Sequence, residues 1–174
     1  RDSLKASLCV RGKQLLYQHC RQFDVPCKQL GKYIVGSRRD EEPLQAIEAR
    51  AEANGVSDLQ WLTRSCLRKN EPALTSETGL FSPSTGIIDS HAYMQSLMHL
   101  AQNQAMHFAP YTRIDCVEFK RQRFLVDCTI TASSRPEQYT FQCNLLINSA
   151  GLHAQTLAQN IADFDQASIP ELHM

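Results

Sequence analysis

Residues 145 to 158, LLINSAGLHAQTLA, are the part of this chain whose residue types and order could do chemistry. An apolar run, Leu145-Leu146-Ile147, suits a strand covered on both faces. It leads straight into Asn148-Ser149-Ala150-Gly151 and then into a helical pattern from about Leu152 to Ile161. In an open α/β sheet, ligands bind beyond the carboxyl ends of strands, where helix N-termini point. Small residues there let backbone approach a cofactor, and a helix start favours phosphate. A plain strand–turn–helix connection, with Gly151 serving turn geometry alone, uses the same residues. Spacing by itself leaves that plain connection ahead.

No other cluster competes. Cysteines 9, 20, 27, 66, 116, 128 and 143 are odd in number and contain no C-x-x-C pair. They read as free thiols of a reducing compartment, not as a disulfide framework or zinc ligands. His91, His99 and His107 recur every eight residues, which does not keep them on one helical face, so no metal is expected. Asp89 with Ser90 reads as a helix cap. Lys5 and Arg11 suit a solvated face, and the Arg38–Glu42 run suits a solvated loop. His91 fits a first helical turn, and His153 sits beside the Asn148–Gly151 turn. None of these qualifies as a catalytic base, so the catalytic residue is unassigned.

The elements that would position the turn follow from periodicity. Leu4, Leu8, Leu15, Leu16 and Cys20 recur at near-helical spacing, predicting a helix over Ser3–Phe23, capped by Ser3 and ended by Pro26. GKYIVG, residues 31 to 36, is a short strand. A helix from about Pro43 to Asn54 closes at Gly55, and another from Thr63 to Lys69 stops at Glu71-Pro72. Residues 78 to 89 form two extended pieces around a Pro83–Gly86 turn. A helix then runs to about Gln104, with Tyr93 or Met94, Leu97, Met98, Ala101 and Ala105 inward. Thr112–Phe119, Phe124–Thr131 and Tyr139–Ile147 alternate like strands, the second placing Phe124, Val126, Cys128 and Ile130 on one face.

Composition bounds the rest. The 174 residues carry 18 basic and 18 acidic side chains, with 43% hydrophobic and 21% charged residues. Such a chain folds without metal or disulfide, and zero net charge leaves no footprint for nucleic acid. No apolar run is long enough for a transmembrane helix. The opening RDSLKASLCV lacks a secretory apolar stretch. The expected place is cytoplasmic, with a peripheral position on the inner membrane face as the alternative.

SLKASLCVRGKQLLY, GKYIV, Glu71-Pro72, STGIIDSHAYM and LLINSAGLHAQTLA stand in an order that resembles the D-amino-acid-oxidase superfamily of FAD-dependent oxidoreductases. The resemblance spans nearly the whole chain. It is closest to the L-2-hydroxyglutarate dehydrogenase/oxidase branch and more distant to glycine oxidase. It implies an α/β fold, an α+β mixture. Part of an FAD-binding Rossmann-like domain with a β-meander would join part of an antiparallel-sheet substrate domain. Residues 1–25 and 89–163 would belong to the FAD-binding domain, 26–88 to the substrate domain, and 164–174 to the start of a second crossing.

The family opens on a strand with G-x-G-x-x-G, and no three of the glycines at 12, 31, 36, 55, 79, 86 and 151 fit that spacing. The resemblance therefore implies an internal segment of a longer protein. It places Ile114 at the adenine edge through its backbone, with Arg113 or Val117 as the neighbouring registers. It places Ser149, Ala150 and Gly151 beside the FAD ribose and pyrophosphate. The implied activity is oxidation of a small 2-hydroxy acid, with amine or amino-acid oxidation as the alternative. From another class comes a non-catalytic interaction module. The oligomeric state is not indicated.

Overall fold

The structure is a computed structural model and describes residues 3–162 and 164–169. The chain divides into two compact units, Arg1–Met106 and His107–Met174.

The first unit begins with α1, Leu4–Gln22. The Ser3 hydroxyl accepts a hydrogen bond from the Ala6 N–H, as its N-cap position predicts. The helix ends ahead of Pro26, because Asp24 turns the backbone to a positive φ of 53°. Strands β1 (Cys27–Lys28) and β2 (Lys32–Gly36) follow. The Arg38–Glu42 run, expected as a loop, is exposed but helical. Arg38–Asp40 form a 3-10 turn that enters α2, Glu41–Ala53. The cause is local. The Ser37 N–H and hydroxyl both donate to the Asp40 carboxylate at 2.8 Å, which nucleates the turn. The same bonds hold the Asp40 carboxyl below the ordinary carboxylate range.

The unit continues through β3 (Gln60–Thr63), α3 (Arg64–Asn70), β4 (Thr78–Ser82), β5 (Ile87–Ile88) and α4 (Ser90–Gln102). Asp89 caps α4 through the Ala92 N–H at 2.9 Å. The two extended pieces around the Pro83–Gly86 turn join different sheets. β4 lies between β2 and β3, pairing Leu80 with Ile34 and Trp61, whereas β5 pairs with β1, Ile88 opposite Cys27. All these pairs are antiparallel. β3 lacks the period-two alternation that would have betrayed it, and its pairing with β4 decides its state.

Cys20, Val25, Leu44, Leu67 and Leu80 form the buried core of this unit. The expected inward face of α1 is realised only at its end. Leu4, Leu8 and Leu15 are exposed, and so are Met94 and Leu97 of α4. Helical period specifies which side chains share a face, not whether anything covers that face. His19 joins the two helices where they do meet. Its Nε2 lies 2.7 Å from the Ser96 hydroxyl, and its ring meets Tyr93 edge-on at 5.1 Å.

The second unit is built on β6 (Thr112–Lys120), β7 (Arg123–Ile130) and β8 (Glu137–Cys143), an antiparallel meander as the sequence predicts. Arg121 and Gln122 form a two-residue turn with φ of 52° and 63°, the handedness that suits a tight hairpin. Val117 and Val126 are paired across it and wholly buried, with Cys128 beside them. A 3-10 turn, Gly151–His153, then enters α5 (Ala154–Gln159). β9 (Ile161–Ala162) returns parallel to β6, so the sheet order is β8-β7-β6-β9.

Two expectations are corrected here. The strand foreseen over Tyr139–Ile147 stops at Cys143, and Leu145–Ile147 lie outside any ladder, with Leu145 and Ile147 exposed. An apolar run becomes a strand only where neighbours accept its backbone bonds, and no strand among the described residues does so. The helix foreseen over 152–161 is shorter at both ends, because Ile161 pairs with Val117. Of the segment 164–174, residues 166–168 form a 3-10 turn, and residues 170–174 lie outside the described part.

Leu80 is fully buried in the central strand, whereas Leu8 lies on the uncovered face of α1. Leu80→Ala should therefore cost about 2–5 kcal/mol. Leu8→Ala should stay within about 0.5 kcal/mol. Urea unfolding followed by circular dichroism would measure both, and equal effects would contradict this description of the core.

Candidate functional site

Ser149, Ala150 and Gly151 occupy one exposed turn between the unpaired Leu145–Ile147 segment and α5. Asn148 organises that turn. Its side-chain oxygen accepts from the Ala150 N–H at 3.2 Å, and its Nδ2 donates to the Ala154 carbonyl at 2.7 Å. The amide thus bridges both sides of the bend, the Asx chemistry that favours Asn in turns. Sequence reasoning passed over Asn148 as a working residue, although an Asn two positions before a turn amide is a readable signal.

Gly151 has φ of +57°, and a side chain added there would meet nothing within 4 Å. Its glycine is demanded by backbone conformation, not by a close neighbour of this chain. The open space is compatible with a bound group passing beside the turn. The Ser149 and Gly151 N–H groups have no acceptor among the described residues, whereas the Ala150 N–H is engaged by Asn148. α5 is only six residues long, so its dipole adds little attraction for phosphate. What the turn offers an anion is two backbone donors.

Ile114 lies in β6 opposite Cys128, immediately before a bulge at Asp115. Among the described residues, β9 covers the outer edge of β6 only at Val117 and Glu118. Beside Ile114 that edge carries no strand among the described residues, so backbone groups there can serve a planar partner with one donor and one acceptor. Arg113 and Val117 differ in this respect. Arg113 pairs with Thr129 two residues on from the Thr131–Tyr111 hydrogen bond, so its backbone faces β7, while Val117 is paired with Ile161.

A polar cluster holds the bulge beside Ile114. The Thr129 hydroxyl donates to one oxygen of Asp115, and the Arg113 Nε donates to the other at 2.7 Å. The Thr129 bond first, and Arg113 second, keep the Asp115 carboxyl below its ordinary range.

An apolar cavity of about 330 Å³ also belongs to this unit, with Phe119, Phe124, Leu146, Asn148 and Ile161 in its lining. Only Asn148 connects it to the turn, and Ile114 takes no part. The structure thus brings Ser149, Ala150 and Gly151 together by chain continuity and leaves Ile114 on a separate strand edge of the same unit. His153 is exposed in the 3-10 turn, and no cluster of His, Cys, Asp or Glu among the described residues could hold a metal. Asp89 serves as the helix cap its position predicts, and Lys5 and Arg11 are exposed.

Two outcomes follow from this geometry. Asn148→Ala removes two exposed hydrogen bonds and should cost about 1–3 kcal/mol. The loss should appear as faster amide exchange at Ala150. Asp115 titrates below 3.8 in the folded state, so its contribution to stability is complete above that pH and is lost as pH falls through the lowered folded value. Thr129→Val removes the main cause, and carboxyl NMR titration should show Asp115 moving back toward 3.8.

Comparison with known proteins extends the geometry to a lineage. The L-2-hydroxyglutarate dehydrogenase, mitochondrial, of Arabidopsis thaliana is 34% identical over 99% of this chain, which spans 41% of that relative. The Pongo abelii protein of the same name is 30% identical over 91% of the chain and 39% of its own length. The human one is 39% identical over 59% of the chain and 22% of its own length. The chain thus spans about two-fifths or less of these relatives. Among solved structures, L-proline dehydrogenase from P. horikoshii superposes with a TM-score of 0.71 at 12% identity, covering 88% of this chain and 40% of that one. That likeness speaks for the fold. The expected cytoplasmic place is overturned, because these relatives are named as mitochondrial. Residues 1–171 match the family of FAD dependent oxidoreductases abbreviated DAO, and the chain belongs to that family.

Proposed function

We propose that this chain is part of a mitochondrial FAD-dependent dehydrogenase that oxidises L-2-hydroxyglutarate. The observation that carries the reading is 34% identity across 99% of the chain to a dehydrogenase named for that substrate. The likeness to proline dehydrogenase, at 12% identity, is a likeness of fold and favours no amine substrate. In this reading bound FAD supplies the acceptor for the hydrogen lost from the substrate's α-carbon.

The chain's own part is to seat the cofactor. Backbone groups at the open edge of β6, at Ile114, would pair with the adenine edge. The Ser149 and Gly151 N–H groups would meet the ribose and pyrophosphate, with Ala150 held in line by Asn148. Residues 1–25 and 89–163 would serve the cofactor side, and 26–88 with 164–174 the substrate side. No catalytic base is assigned to any of them. A diacid substrate needs a cation for each carboxylate, since an unpaired buried charge is costly.

Two experiments on the full-length protein test the proposal. Gly151→Val combines backbone strain with bulk, whereas Gly151→Asn tolerates the left-handed conformation. If the turn lies against the cofactor, both variants lose flavin while keeping their far-UV circular dichroism. Full flavin content in a folded Gly151→Asn protein would return the turn to a structural role. Anaerobic mixing should bleach the flavin with L-2-hydroxyglutarate at least about tenfold faster than with L-lactate, which lacks the distal carboxylate. Faster bleaching by glycine or D-alanine would move the assignment to amine oxidation.

A further inference from the structure

The first unit contains a cavity of about 400 Å³ between α1 and the Gly86–Ile88 segment, and three of the chain's thiols line it: Cys9, Cys20 and Cys27. The segment is seated tightly. The Lys13 ammonium donates to the Ser84 hydroxyl, and the Tyr17 hydroxyl donates to the Ser84 carbonyl at 3.3 Å. A side chain at Gly86 would fall 2.2 Å from the Lys28 carbonyl oxygen and 2.4 Å from the Tyr17 hydroxyl, so only glycine fits. The cavity wall is therefore well defined, and the thiols on it have fixed neighbours.

Helix geometry selects which two can meet. Cys9 and Cys20 are eleven residues apart on α1, or about 16 Å along the axis. A disulfide needs Cα atoms within about 7 Å. Cys27 lies beside Cys20, because the Val25 N–H donates to the Cys20 carbonyl at 3.0 Å and folds the chain back onto the last turn of α1. The Cys27 thiol is close enough to Cys20 that, after burial itself, it is the next cause raising the Cys20 pKa. Cys20 is buried and Cys27 half-buried. One member can thus be reached from solvent and the other is held behind it.

We propose that Cys20 and Cys27 form a thiol pair that closes reversibly to a disulfide in the folded protein, with a small-molecule disulfide as oxidant. The half-buried Cys27 attacks as thiolate on one sulfur of the oxidant, breaking its S–S bond and releasing one thiol. The Cys20 thiol gives up its proton and attacks the Cys27 sulfur of the mixed disulfide, releasing the second. One S–S bond is broken and one formed, and two protein S–H bonds become two on the released thiols. The bridge would fasten the end of α1 to β1, and through the Cys27–Ile88 pairing to β5. The thiols of this unit are then not equivalent. Cys9, although exposed, lies about 16 Å along α1 from Cys20 and should stop at the mixed disulfide.

The test is oxidation of the folded, reduced chain with oxidised glutathione, followed by alkylation, trypsin and mass spectrometry. Cleavage after Lys13, Arg21 and Lys28 separates the two cysteines, so the bridge would join peptide 14–21 to peptide 22–28. This linked pair should exceed any other cysteine pair about tenfold, since neighbouring thiols react at high effective concentration. Dithiothreitol should reverse it, and denaturant before oxidation should abolish the preference. In Cys20→Ser, Cys27 should accumulate as the glutathione adduct, and in Cys27→Ser, Cys20 should remain a thiol. Cys27 trapped as glutathione adduct in the wild-type chain, with Cys20 alkylated, would overturn the proposal. So would a linked peptide containing Cys9 in place of Cys20.

Discussion

β6 is the strand on which the second unit depends. It is bonded on one edge to β7 along its length and on the other, among the described residues, to β9 at Val117 and Glu118. The buried Val117–Val126 pair anchors the first contact, and the parallel Val117–Ile161 pair brings the chain back after α5. The adenine contact proposed at Ile114 uses what this arrangement leaves open. Backbone beyond the two bonded residues of β9 remains available, and the bulge at Asp115, held by Thr129 and Arg113, shapes that stretch. In the recognition proposed above, backbone donors and acceptors do the work, so side-chain identity at Ile114 would be weakly constrained, while strand pairing is strongly constrained.

The turn at Asn148–Gly151 obeys a different constraint. No ladder supports it, so its form rests on one amide side chain and one left-handed glycine. Such a turn is specified locally and can present N–H groups outward without help from a long helix. That matters here because α5 is too short for its dipole to dominate.

Many large apolar residues are exposed, including Leu4, Leu8 and Leu15 of α1, Met94 and Leu97 of α4, and Leu145, Ile147 and Leu152 near the turn. Exposed apolar side chains that share one helix face, as Leu4, Leu8 and Leu15 do on α1, mark surfaces that take part in further contacts. The relatives are more than twice as long as the region they share with this chain. The thiol cavity belongs to the opposite case, a wall whose residues are already held by Lys13, Tyr17 and Gly86.

The sequence by itself determined that helices stand near 4–22, 43–53 and 90–102 and that Ser3 caps the first, because capping and helical period are local; it left the third cap between Asp89 and Ser90. It also determined the meander and, through the order of several motifs, the flavoprotein family. Tertiary structure alone decided the state of three segments. Leu145–Ile147 reads as strand but has no partner for its backbone, while Gln60–Thr63 and Ile161–Ala162 carry little strand pattern and become strands because β4 and β6 bind them. The same holds for thiols. Seven scattered cysteines show no pairing by spacing, and only the fold of residues 20 to 27 back onto α1 sets two of them side by side. Periodicity records which residues share a face, whereas strand pairing and burial depend on what distant residues bring to that face.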